Sequence, residues 1–268
     1  DHGWTGTNQL AHPIELVDAR PFADQLRLEH DGFIIDRIVS GVSDYADLDA
    51  LARLWFPPVE RMILRVTGAK RAYLFAGPNV RFSERDSKST STSISAPARA
   101  VHGDLPSTFQ FSQFPKQPVS DAAWAQLYCD TGGQEPRRWK VFNIWQMISP
   151  PPQDVSLAIC ALPSLELEDY VHGTGYFADP AASAAEVLAS ADMPPVFDMT
   201  FLRHNPRQKW CYFKDMLPGE TLVFQTFDPA AGPGFARVPH GAVTLPDAGE
   251  DAIPRSSIEI RALLVFDD

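Results

Sequence analysis

At 268 residues, 44% of them hydrophobic, with 17 Phe and 6 Trp, the chain is long enough to bury one large core, and its 24 Pro argue against a helical bundle. The formal net charge is −11 and no Lys/Arg cluster stands out, which excludes a nucleic-acid footprint and leaves the acidity to solubility. No apolar run reaches the roughly 18 residues of a membrane span, so no membrane partner is expected.

The chain opens on Asp1-His2-Gly3-Trp4, with neither a signal-peptide pattern nor an initiator Met, and the numbering is expected to start inside a longer chain. Residues 1–40 read as loop and short strand, ending in Gly32-Phe33-Ile34-Ile35. Two helices are expected next. Asp44 is placed to cap the first, with Leu48, Leu51 and Trp55 on one stripe. Pro57-Pro58 separates it from the second, where Val59, Met62, Ile63 and Val66 repeat at helical spacing and Gly68 ends the run.

From Tyr73 the pattern changes to strands. Runs at 72–77, 97–102, 139–147, 156–163, 208–214, 220–227, 238–244 and 257–266 are rich in Val, Ile and aromatics, with turn residues between them. Two helical insertions are expected, one over 119–130 with Trp124, Leu127 and Tyr128, the other Ala-rich over 179–192 behind Asp179-Pro180. Ser87 to Ser95 is a small-polar segment whose composition fits a mobile surface loop and whose position, just before the His102 strand, fits a lid. This order predicts a mainly β fold, a double-stranded β-helix (jelly roll, cupin-like) with N-terminal and inserted helices. A single domain over 1–268 is expected, with 1–70 as helical support and 71–268 as the β-helix core. Cys129, Cys160 and Cys211 lie in apolar surroundings and read as reduced core thiols of a cytoplasmic protein; the absence of C-x-x-C excludes a zinc ribbon.

His102-Gly103-Asp104 carries the chemistry. In a strand, side chains two apart share a face, so His102 and Asp104 are expected to aim at one point. If a distant second histidine, His240, supplies the third ligand, they complete a 2-His-1-carboxylate triad, which leaves octahedral positions on Fe(II) open for substrates and oxygen. Downstream, Arg255-Ser256-Ser257 opens the last apolar run. The planar guanidinium of Arg255 suits a carboxylate, and Ser257 shares its face and can add a hydroxyl. An arginine at this place is where 2-oxoglutarate enzymes anchor the cosubstrate's distal carboxylate. His172 and His204 are rival third ligands, but neither is followed by an arginine and an apolar strand as His240 is. Trp210 and Tyr212 alternate with Cys211 and read as core, while His2, His12 and His30 have no assigned role.

The order of these pieces resembles the AsaB-type hydroxylase/desaturase family, related to cephem methoxylase and found in fungal secondary metabolism. The resemblance runs through Asp18-Ala19-Arg20, His30-Asp31-Gly32-Phe33, Val66-Thr67-Gly68-Ala69, Val101-His102-Gly103-Asp104 and Phe142-Asn143-Ile144-Trp145. It continues through Leu157-Ala158-Ile159-Cys160, Lys209-Trp210-Cys211-Tyr212-Phe213 and Pro239-His240, and closes on Arg255-Ser256-Ser257-Ile258-Glu259-Ile260-Arg261-Ala262-Leu263, its most specific block. It implies Fe(II), 2-oxoglutarate and O2, with His102, Asp104 and His240 as ligands and Arg255 and Ser257 as the cosubstrate anchor. Arg261, on the Arg255 face, competes for the anchor role or pairs with Glu259. Asn143 and Trp145 are expected to line the pocket, Asn143 toward the cofactors and Trp145 toward the substrate. The family continues Asn-x-Trp with Arg-Pro, whereas Gln146-Met147 stands here, which points to a missing guanidinium beside the pocket.

The combined reading is an Fe(II)/2-oxoglutarate-dependent oxygenase that hydroxylates, desaturates or cyclises a small molecule of secondary-metabolite or amino-acid origin. The alternatives are an Fe(II)-dependent oxidase without 2-oxoglutarate, whose Arg255 would hold a substrate carboxylate, and a non-catalytic cupin-like binding protein. Neither the substrate nor the oligomeric state is legible.

Overall fold

Alternation of inward and outward side chains builds two facing sheets. The computed structural model describes residues 10–88, 96–106, 109–114, 122–175, 197–231, 237–245 and 248–267. The strands are β1 (Leu16–Asp18), β2 (Phe33–Arg37), β3 (Arg71–Phe82), β4 (His102–Gly103), β5 (Trp139–Met147) and β6 (Val155–Cys160). They continue with β7 (Tyr170–Gly175), β8 (Phe197–Leu202), β9 (Trp210–Tyr212), β10 (Glu220–Phe227), β11 (His240–Thr244) and β12 (Ser256–Val265). A seven-stranded sheet runs β1-β9-β6-β11-β4-β8-β7, and a five-stranded sheet runs β2-β10-β5-β12-β3. This is the expected jelly roll.

The five-stranded sheet has two distinct faces. Ile258, Ile260, Ala262 and Leu264 of β12, with Phe142, Ile144 and Val223, pack on Leu51, Trp55, Val59, Met62 and Ile63 of the helical segment. The opposite face brings Trp145, Met147, Leu222 and Phe224 against Leu157, Ile159, Trp210 and Cys211 of the other sheet. Polar residues of that inner face, among them Asn143, Ser257, Glu259 and Arg261, lie at the same alternate positions.

The helical segment differs in detail from expectation. It comprises α1 (Leu48–Ala50), a π-helical turn (Leu51–Trp55) and α2 (Phe56–Thr67), which follow without a break. Pro57 and Pro58 fall in the first turn of α2, directly behind the π-helical turn in which the Phe56 N–H reaches back to the Leu51 carbonyl; the chain stays helical through them, so they do not separate two helices. The cap is Asp47, which accepts from the Ala50 N–H at 2.9 Å; Asp44 instead accepts from Ala46 in the preceding turn. Leu48 is 65% exposed and leaves the stripe, which holds Leu51 and Trp55. Gly68 ends α2 with φ +69°, as expected.

Strand differences have local causes. Of the 97–102 run only His102 belongs to a strand; Pro97 lacks a donor, and Ala98 is tied to β11 by a single bond from the Ala242 N–H to its carbonyl. β3 runs on past Gly77-Pro78, because its register on β12 shifts between Glu259 and Arg261 to absorb the extra residues. β7 and β8 were not expected: the glycines of β7 and the Pro194-Pro195 pair before β8 hide the strand pattern. α3 (Ala122–Thr131) buries Trp124 and Leu127 beside Phe75, Phe111 and Phe114, while Tyr128 is 46% exposed. Cys129 is exposed rather than core, on the outer side of this helix; Cys160 and Cys211 are buried. Residues 179–192 and most of Ser87–Ser95 lie outside the described residues. No described helix is long and apolar enough to cross a membrane.

Candidate metal centre

His102 of β4 and His240, the first residue of β11, are direct partners across the antiparallel ladder. Their rings lie 4.5 Å apart at 53°. Phe224 reaches the His240 ring from the opposite sheet at 4.6 Å. Asp104 comes one residue after β4 ends, so strand alternation does not place it, yet it arrives at the same point. Its Oδ1 is 3.8 Å from His102 Nε2 and its Oδ2 is 3.8 Å from His240 Nε2. One ligand atom from each of the three residues lies within 4.8 Å of the others.

The tautomers follow from the backbone. A carbonyl only accepts, so His102 Nδ1–H donates to the Ala100 carbonyl at 2.7 Å and His240 Nδ1–H to the Val238 carbonyl at 3.1 Å. Each Nε2 lone pair is left facing Asp104. Burial pushes His102 down to about 4, helped by the neighbouring His240, and burial likewise lowers His240. Both imidazoles are therefore neutral at physiological pH, the form that ligates. Burial pushes the Asp104 carboxyl up, but the Arg261 guanidinium, by its charge and its hydrogen bond, outweighs it and holds the group below the usual carboxylate range. Two neutral nitrogens and one anionic oxygen, held in place by backbone and side-chain bonds, fit Fe(II).

Arg255 is 1% exposed. Among the described residues its Nε and Nη1 have no hydrogen-bond partner, nor does the buried Ser257 hydroxyl two residues on. The guanidinium carbon lies 5.5 Å from the Trp145 ring, and the backbone N–H donates to Asp154 at 2.9 Å. Burial first, then repulsion from Arg81 and Arg99, lowers Arg255 to about 10. A buried cation with unmet donors suits an anion, and the carboxylate of 2-oxoglutarate is chemically compatible with it. Arg81 stands opposite Ser257 across the β3–β12 ladder and adds positive charge there. Sequence reading missed Arg81, because Gly77-Pro78 looked like the end of its strand.

Arg261 and Asn143 both meet Asp104, and Arg261 also approaches Glu259, the partner offered for it by the sequence. Arg261 Nη2 donates to Asp104 Oδ1 at 2.6 Å, and Asn143 Nδ2 donates to Asp104 Oδ2. Both therefore grip the carboxylate of the metal set. Glu259 lies 4.0 Å from the same Arg261 nitrogen. Gln146 does not face the pocket at all: strand alternation turns it to the helical side, where it accepts from the Trp55 indole N–H. The expected gap beside the pocket is therefore on the wrong face, and Met147 points inward instead. His172 pairs with Thr200, placing it on the Gly103 face and away from His102, while exposed His204 stacks on His12 at 4.4 Å. Neither joins the metal group.

A family model described as Oxidoreductase/YMDC permease-like domain matches residues 2–266. The chain is 29% identical over 219 residues to "Hydroxylase/desaturase asaB" of Aspergillus flavus, covering 79% of this chain and 90% of that protein. It is 26% identical over 257 residues to "Alpha-ketoglutarate-dependent dioxygenase phiK" of a fungal species, covering 94% and 83%. The solved structure of an "iron and alpha-ketoglutarate-dependent endoperoxidase NvfI" superposes with a TM-score of 0.71 at 22% identity, covering 94% of this chain and 82% of that one, a likeness of fold.

Proposed function

The chain belongs to the oxidoreductase family of that model, and from this premise we propose a non-haem Fe(II)- and 2-oxoglutarate-dependent oxygenase that acts on a C–H bond of a small molecule. The observation that carries the reading is the convergence of His102, Asp104 and His240 within 4.8 Å. The names of similar proteins, a hydroxylase/desaturase and alpha-ketoglutarate-dependent dioxygenases, support it.

His102, Asp104 and His240 would hold the iron. Bound together, Fe(II), 2-oxoglutarate and O2 supply an oxidant for a C–H bond, with succinate and CO2 as coproducts. The protein's part is orientation and exclusion. The Ala100 and Val238 carbonyls fix both imidazole tautomers. Arg255 would bind the distal carboxylate of 2-oxoglutarate in two places, with Ser257 adding one hydroxyl. Trp145, whose ring lies 5.5 Å from the Arg255 guanidinium carbon, would shield that cation from water and line the pocket toward the substrate. Hydroxylation, desaturation and cyclisation share this arrangement and differ in where the substrate radical sits. The free thiols of Cys129, Cys160 and Cys211 support a cytoplasmic setting.

The test is anaerobic loading with Fe(II) and 2-oxoglutarate, then oxygen in the presence of candidate metabolites. Substrate-dependent succinate is expected. Turnover of a substrate without succinate would move the chain to the oxidase reading, and failure to retain Fe(II) would move it to a binding protein.

A further inference from the structure

Arg261 and Asn143 are direct partners across the β12–β5 ladder and project from the same face. Each donates to a different oxygen of Asp104. This residue belongs to the facing sheet, just beyond a strand of two residues whose ladder to β11 is the single His102–His240 pair. On its other side β4 pairs with β8, and the Thr200 hydroxyl donates to the Leu105 carbonyl at 3.1 Å, so the backbone is held on both sides of Asp104 and the cross-strand pair fixes what is left, the carboxylate's rotation. We propose that Arg261 and Asn143 are positioning residues that clamp the Asp104 carboxylate and set metal affinity, and that Arg261 is not the cosubstrate anchor. This rests on the reading of His102, Asp104 and His240 as metal ligands.

The stereochemistry supports the division of labour. Each carboxylate oxygen has two lone pairs, and one donor on each leaves one per oxygen for a metal. Fixing both oxygens removes the rotations the free side chain would lose on metal binding, so the ordering is already done in the folded protein. Arg261 is committed by a charged bond of 2.6 Å, and Glu259 at 4.0 Å draws its guanidinium to the same spot. Arg261 keeps one unmet donor, its Nε, but its Nη2 is committed to Asp104, whereas Arg255 has both Nε and Nη1 unmet, with the unmet Ser257 hydroxyl beside it. Two arginines on one strand face thus take different anions, the protein's own carboxylate and a ligand's.

Mn(II) titration of the chelator-stripped full chain, followed by electron paramagnetic resonance, tests this. Arg261→Gln and Asn143→Ala should each weaken Mn(II) binding, with Arg261→Gln losing about 10–100-fold and Arg261→Lys recovering part of it. At saturating Mn(II), 2-oxoglutarate affinity should stay unchanged in all three, whereas Arg255→Ala should show the reverse pattern. If Arg261→Gln lowers the melting temperature but leaves Mn(II) affinity intact, the pair is only a tie between sheets and the clamp is wrong. Weakened 2-oxoglutarate with normal Mn(II) binding would make Arg261 the anchor after all. Should Arg261→Gln fail to fold, Asn143→Ala decides alone: it removes one donor from Oδ2 and little volume. A wild-type chain that binds no Mn(II) would overturn the metal reading itself, a result distinct from normal wild-type binding with unaffected variants.

Discussion

His102 and His240 are register partners in the seven-stranded sheet, so the β4–β11 pairing itself brings two ligand nitrogens to one side of Asp104. Replacing either histidine or Asp104 by Ala should abolish Fe(II) or Mn(II) retention while circular dichroism stays that of the folded chain, because the ladder bonds are made by backbone. Metal content of the purified variants checks it. Near-normal metal in His240→Ala, with loss in His172→Ala or His204→Ala, would reassign the third ligand.

Arg255→Ala removes the cation with unmet donors beside Trp145. Losing one partner of a buried charge pair costs about 2–5 kcal/mol, so the dissociation constant for 2-oxoglutarate should rise tens-fold or more. Arg255→Lys should recover little, since one ammonium does not reproduce a planar fork. Quenching of Trp145 fluorescence on anaerobic 2-oxoglutarate addition gives the constant. An unchanged value for Arg255→Ala would remove it from the anchor.

Gly32 has φ +84°, and a Cβ there would sit 2.5 Å from Val238 Cγ2 and 2.6 Å from Leu162 Cγ. Gly32→Ala should destabilise the protein by about 1–3 kcal/mol through strain and overpacking. It should also disturb the site, because the Val238 carbonyl fixes His240. Urea unfolding and metal titration together test this; a stable variant with weakened metal binding would be inconsistent with the steric account.

Asp228 is 5% exposed and is held by Arg138 and Lys140, the latter at 3.0 Å. Burial pushes its carboxyl up, but those two cations outweigh burial and lower it overall. A lowered folded-state value gives stability that is present above the unfolded carboxyl range, near about pH 4, and is lost as pH falls through the folded value. Asp228→Asn should therefore cost on the order of 1–3 kcal/mol at neutral pH, with the gap to wild type closing in acid. Urea midpoints across acid and neutral pH would show it. A pH-independent gap would mean that packing, not charge, is what Asp228 contributes.

What the sequence determined by itself was chemistry and order. The His102, Asp104 and His240 group was legible because metal-ligand types are properties of single side chains. β5 at 139–147 and β10 at 220–227 were legible because their alternation is local. The tertiary structure decided which face each alternation presents and what stands opposite. It turned Gln146 onto Trp55, gave Arg261 and Asn143 to Asp104, and carried β3 past Gly77-Pro78 to bring Arg81 opposite Ser257. Period-two alternation defines two faces but not which is buried, and register depends on pairing between strands far apart in the chain. Arg261 of β12 and Arg255 just before it differ in what stands opposite: Arg261 meets Asp104 across the gap between the sheets, and the Nε and Nη1 of Arg255 meet no partner among the described residues.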